Sequence, residues 1–304
     1  MGNPPKLPVI FIWDMDKCLI GDANFLLFAD ELTTYIMNAY RSEKIPSCKG
    51  ITPLRNGVDA AHVTPDFFRP GIKAAFEQIQ TIFDGRAEFF IFSHGAHEYV
   101  TRMVRLIEAH TGIEFNRPLL TRNDTIKKSS GKTEKSLTLH FHTIVKVLLA
   151  KYPALKKQEN VNKVKESHVI YLDDNNWTED STKDRFLQVK PYEYTPVYDV
   201  LWNIPMSIRT LDEVQAYIAG RWWEVFNEPK PGVHATQRDM QFHAFMTELC
   251  SRYSVPNATA LADKFFPEFV DALKKTRVHR MVHPFSAKTM DALRKTLLEK
   301  EVLV

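Results

Sequence analysis

Val9-Ile-Phe-Ile-Trp-Asp-Met-Asp-Lys-Cys-Leu-Ile20 reads as a strand that stops at two acids. Its apolar part leaves no polar face, and β-branched and aromatic residues dominate, so the strand should be covered on both sides, as in a parallel sheet. Glu88-Phe-Phe-Ile-Phe92 and His168-Val-Ile-Tyr-Leu172 repeat the pattern, and each runs into a polar cluster. Helical spacings lie between the strands. Phe25, Phe28, Leu32 and Tyr35 recur at three and four residues, as do Ile72, Ala75, Phe76, Ile79 and Phe83 after Pro70. Val100, Met103, Val104 and Ile107 repeat the period before a stop at Gly112, and Ile144, Val147 and Leu148 carry another helix toward Pro153. The alternation predicts an α/β fold built on a doubly wound, mostly parallel, Rossmann-like sheet.

This pattern fills residues 1–205, with 21–68 as a small insertion or cap whose Pro-, Gly- and Ser-rich part follows the first helix. From about residue 206 the strands stop and a helical C-terminal region is expected. Thr210 followed by Glu213 signals a helix running through Trp222, Trp223 and Phe226, and further helices are expected at about 236–253, 258–281 and 286–301. No apolar run approaches the roughly 20 residues of a membrane helix, and the first residues lack a secretory pattern, so an intracellular location, cytoplasmic or nuclear, is expected without a membrane partner. Cys18, Cys48 and Cys250 are too few and too scattered for a disulfide framework or a zinc site. A net charge of +3 is too mild to imply nucleic-acid binding, although lysines crowd 127–165. Oligomeric state is not legible in the sequence.

In a parallel sheet, ligands gather beyond the carboxyl ends of the strands. Three strand ends here carry reactive groups: Asp14 and Asp16, then Ser93 with His94, then Asp173 and Asp174. A carboxylate cluster of that density repels itself unless a hard cation neutralises it, and magnesium with oxygen ligands is the natural choice. An isolated Asp-x-Asp is common in surface turns. The order strand and Asp-x-Asp, strand and Ser, a Lys, strand and Asp-Asp is much less common.

That order resembles the haloacid dehalogenase superfamily over about residues 8–205. More narrowly, it is similar to the phosphatases of the RNA polymerase II C-terminal domain and related phosphoserine proteins. Phe68-Arg-Pro-Gly-Ile72, His97-Glu-Tyr-Val100, Leu120-Thr-Arg122, Lys135-Ser-Leu137 and Asp173-Asp-Asn-Asn-Trp177 carry the narrower likeness. Cys18 and Ser93-His-Gly95 depart from it, and a long lysine-rich segment separates Lys135 from Asp173. The resemblance implies that Asp14 is the nucleophile, that Asp16 acts as general acid and base, and that Ser93 contacts a phosphoryl oxygen. It also implies that Lys135 neutralises developing charge, with Lys132 and Lys128 as alternatives. Asp14, the Asp16 carbonyl and Asp174 would hold magnesium, and Asp173 would either join them or fix the lysine. His94, Arg69 and Arg122 are candidates for substrate binding, against structural ion pairs for the two arginines. A phosphorylated protein is the expected substrate. Small phosphomonoesters, nucleic-acid ends and a catalytically idle interaction module are the alternatives, the basic segments suiting nucleic acid.

Overall fold

The computed structural model describes residues 6–51, 64–129, 131, 133–176, 180–196, 204–218, 251 and 254–304. Along the chain run β1 (Val9–Trp13), α1 (Asn24–Arg41), α2 (Ile72–Ile82), β2 (Ala87–Ile91), α3 (His97–Thr111), β3 (Thr125–Lys127), β4 (Thr133–Lys135) and α4 (Leu137–Leu148). They are followed by α5 (Gln158–Ser167), β5 (Val169–Asp173), β6 (Phe186–Gln188), α6 (Met206–Arg209), α7 (Phe265–Lys275) and α8 (Ala287–Glu299).

Four strands form one parallel sheet in the order β2-β1-β5-β6. The three apolar runs become β1, β2 and β5, and every residue of each is buried. Alternation along β1 separates two cores. Phe11 and Trp13 face a packed aromatic group of Phe76 and Phe83 at the α2 side, Phe266 and Phe269 of α7, and Phe285, with ring centroids 5.5–6.5 Å apart. Ile10 and Ile12 belong to the other core, with Phe141, Ile144 and Leu148 of α4 and Val164 of α5. Helices therefore cover both faces, as the alternation predicts. Glu88, buried within β2, is satisfied by the Tyr152 hydroxyl at 2.6 Å, Asn116 Nδ2 at 3.0 Å and the Lys151 ammonium at 2.5 Å.

The chain divides into two compact units. One comprises 1–19, 69–192 and 263–304 and contains the sheet. The other comprises 20–68 and 193–262. This division differs from the expected boundary near 205, because residues 263–304 return to the sheet. α7 packs on α2 and supplies the aromatic cover, and residues 302–304 bridge antiparallel to the β6 edge through Val189 and Leu303. The helix expected over 258–281 is two helices, 254–261 and α7, interrupted where the Asp263 carboxylate accepts from the Phe265 amide at 3.0 Å. The second unit holds α1, whose Tyr35 stacks on Tyr217 at 4.0 Å, and a reciprocal pair of hydrogen bonds between Thr195 and Asn257, both 2.8 Å. The expected helical stretch through Trp222 and Trp223 and the one at 236–253 lie outside the described residues. Among the described residues no helix is long and apolar enough to cross a membrane.

Candidate active site

Strand pairing brings the acidic motifs together. The Asp14 amide donates to the Leu172 carbonyl at 2.8 Å, so the end of β1 is stitched to β5 one residue before Asp173. On the other side the Phe92 amide reaches the Trp13 carbonyl at 2.9 Å, which brings Ser93 beside Asp14. Lys135 arrives from a separate element. It ends β4, and Ser136, the next residue, caps α4 by accepting from the Leu139 amide at 3.2 Å.

Lys135 is the hub. Its buried ammonium donates to Asp14 Oδ1 and to Asp173 Oδ2, both at 2.7 Å, and lies 5.9 Å from the centre of the Phe92 ring. Burial pulls its pKa down, but Asp14 and Asp173 outweigh that and hold it well above its usual value, so it stays charged. Burial likewise pushes the Asp173 carboxyl up, against the opposing pull of Lys135. It raises Asp174 to about 6, with Asp14 adding to the shift. Asn175 orders both acids, its amide donating to Asp173 Oδ1 at 2.8 Å and its side chain to Asp174 Oδ2 at 2.9 Å.

Three carboxylates, Asp14, Asp173 and Asp174, each offer an oxygen within 4.8 Å of the others. They face one ammonium, so the cluster carries a formal excess of two negative charges, the amount one divalent cation neutralises. Asp174 Oδ1 is buried without a hydrogen-bond partner, and Asp14 Oδ2 accepts no hydrogen bond from the described residues. A buried, unpartnered oxygen of Asp174 is thus open to a hard cation, and the set of three carboxylates fits one. The Asp16 carboxylate is not part of this cluster; it accepts from the Tyr99 hydroxyl.

Ser93 is buried, its Oγ accepts from the Gly95 amide at 3.0 Å, and its proton is left to donate. His94 lies beside Thr133, with Nδ1 3.5 Å from Oγ1. Burial, and then the charge of Lys135, lower its pKa to about 4, so the ring is neutral at physiological pH. Arg122 donates through Nε to the His94 carbonyl at 2.8 Å and is otherwise exposed. Comparison of the chain with protein-family models found no match, and comparison with curated proteins found none either.

Other candidates sit elsewhere. Arg69 is fully buried: Nε and Nη2 grip Asp263 at 2.9 and 2.8 Å, Nη2 also donates to the Lys190 carbonyl at 2.8 Å, and Nη1 donates to the Cys18 carbonyl at 3.2 Å. With those bonds made, all three of its nitrogens are engaged within the protein, as in the structural ion pair weighed against substrate binding. Lys128 pairs with Glu134 at the exposed hairpin, and Lys132 lies outside the described residues. Tyr99 and Asn175 were not assigned roles from the sequence, although both lie inside the motif segments. Asp263 has no local signal at all.

Proposed function

We propose that the chain is a magnesium-dependent phosphatase of the haloacid dehalogenase type, working through an aspartyl-phosphate and acting on phosphoserine or phosphothreonine in proteins. The observation that supports it best is the state of Asp14. One oxygen is fixed by Lys135 and the other makes no hydrogen bond to the described residues, while the side chain keeps a 10% opening to solvent. An oriented carboxylate with an open oxygen is a nucleophile in waiting.

In the first half-reaction the open Asp14 oxygen attacks phosphorus, the bond to the leaving oxygen breaks, and Asp16 gives that oxygen its proton. In the second, Asp16 takes a proton from the water that attacks the same phosphorus, which frees Asp14 and releases inorganic phosphate. Lys135, held charged, offsets charge on the equatorial phosphoryl oxygens, and the Ser93 hydroxyl donates to one of them. Asp14, Asp173 and Asp174 would hold magnesium; when bound it would neutralise the surplus carboxylate charge and polarise the phosphoryl group.

The described segment from Ser93 to Lys135 contributes α3 and the β3–β4 hairpin to the site's surroundings, not a cap domain. Arg122, Ile126 and Lys127 stand exposed there, which favours an extended chain with acidic flanks over a small metabolite. Hydrolysis of an aryl phosphate should require magnesium and should vanish in Asp14→Asn. Turnover that survives Asp14→Asn would rule out the nucleophile. Phosphopeptides assayed beside phosphorylated oligonucleotides and metabolites should be the better substrates.

A further inference from the structure

Tyr99 lies in the first turn of α3, which begins directly after the loop carrying Ser93, and its hydroxyl donates to Asp16 Oδ1. The local structure is arranged around that phenol. A Cβ on Gly95 would lie 2.6 Å from Tyr99 Cδ1 and 2.9 Å from Val100 Cγ2, so a larger residue there would push the ring aside. The same glycine contributes the amide that holds Ser93 Oγ, so one short loop serves two parts of the site. Directly after Asp16, Lys17 adopts a left-handed φ of 55° and opens a turn. Asp16 thus lies past the end of β1, in a bridge just before the turn at 17–19, and the Tyr99 hydroxyl is one contact that orients its carboxyl.

We propose that Tyr99 is a positioning residue: its hydroxyl holds the Asp16 carboxyl where it can protonate the leaving oxygen, an inference that rests on the phosphatase reading. A general acid placed even about 1 Å away from its target loses much of its effect. The loss depends on the leaving group. A seryl alkoxide must be protonated as it departs, whereas p-nitrophenolate departs without help.

The test is kcat/KM with magnesium present, for a seryl phosphopeptide and for p-nitrophenyl phosphate, in the unaltered chain and in Tyr99→Phe. The phosphopeptide value should fall about tenfold or more and the aryl value by less than about twofold, within the range general acids contribute. Asp16→Asn combined with Tyr99→Phe should be no worse on the phosphopeptide than Asp16→Asn alone, because Tyr99 acts through Asp16. Gly95→Ala, which displaces the ring and keeps the amide, should show the same selective loss and serves if Tyr99→Phe melts early. Equal losses on both substrates, no loss on either, or additive losses in the double variant would overturn the assignment and leave the phosphatase reading standing. No turnover of either substrate by the unaltered chain would overturn both.

Discussion

Lys135 shows how a single buried cation sets the terms for its neighbours. Replacing it with Met leaves Asp14 and Asp173 facing each other in a largely buried site with no counter-charge between them. Stability should fall by about 3–5 kcal/mol, the usual cost of stranding buried charge, and turnover should be lost. Urea melts beside rate measurements check both, and an unchanged midpoint would show that the two carboxylates are not held by Lys135. Asp174 behaves in the opposite sense. Its carboxyl is raised to about 6 in the folded chain, above its ordinary range, so the folded state holds more protons than the unfolded one between about pH 4 and 6. Stability from this group thus declines as pH rises through that window, and the cost is fully present above it. Without metal, Asp174→Asn should melt higher than the unaltered chain at pH 7.5, by about 1–2 kcal/mol after allowing for solvent screening, and no higher at pH 4. Magnesium should raise the midpoint of the unaltered chain and do little for Asp174→Asn; an equal rise in both would remove Asp174 from the ligand set. The acids themselves were legible in the sequence, because each follows an apolar run that could only be a strand. Their roles come only from what the resemblance implies, and which of their oxygens Lys135 engages was not legible, since it lies 121 residues from Asp14 and 38 from Asp173.

At the scale of elements, legibility followed hydrophobic pattern. β1, β2 and β5 announce themselves as unbroken apolar runs, and α2 and α3 by their spacing, whereas β6, only Phe186–Gln188, is too short to register. β3 and β4, Thr-Ile-Lys and Thr-Glu-Lys, have no buried face to pattern, yet β4 delivers Lys135. The Arg69–Asp263 clasp spans 194 residues of sequence, and no local rule couples its ends. That clasp ties the entry of α2 to the entry of α7. Asp263→Ala should strand the Arg69 guanidinium and cost about 3 kcal/mol or more, with KM for an aryl phosphate little changed. A raised KM at an unaltered melting temperature would restore Arg69 to substrate binding.

For the whole molecule, residues 263–304 belong to the core and not to an appendage. A chain ending at residue 262 should show no cooperative thermal transition, because Phe11, Trp13 and Phe76 would lose Phe266, Phe269 and Phe285 together. A truncated chain that still melts cooperatively would make the tail a separate region after all. The sequence could not reveal this, since a helix that covers a sheet and a helix that stands apart show the same period; the aromatic face it seeks lies some 250 residues earlier. That separation has a cost in time. At about 5–20 residues per second, the Phe11–Trp13 face leaves the ribosome roughly 10–50 s before its cover is synthesised. During that interval only Phe76 and Phe83 are there to cover it, and the face left open makes slow or stalled translation before residue 265 a route to aggregation.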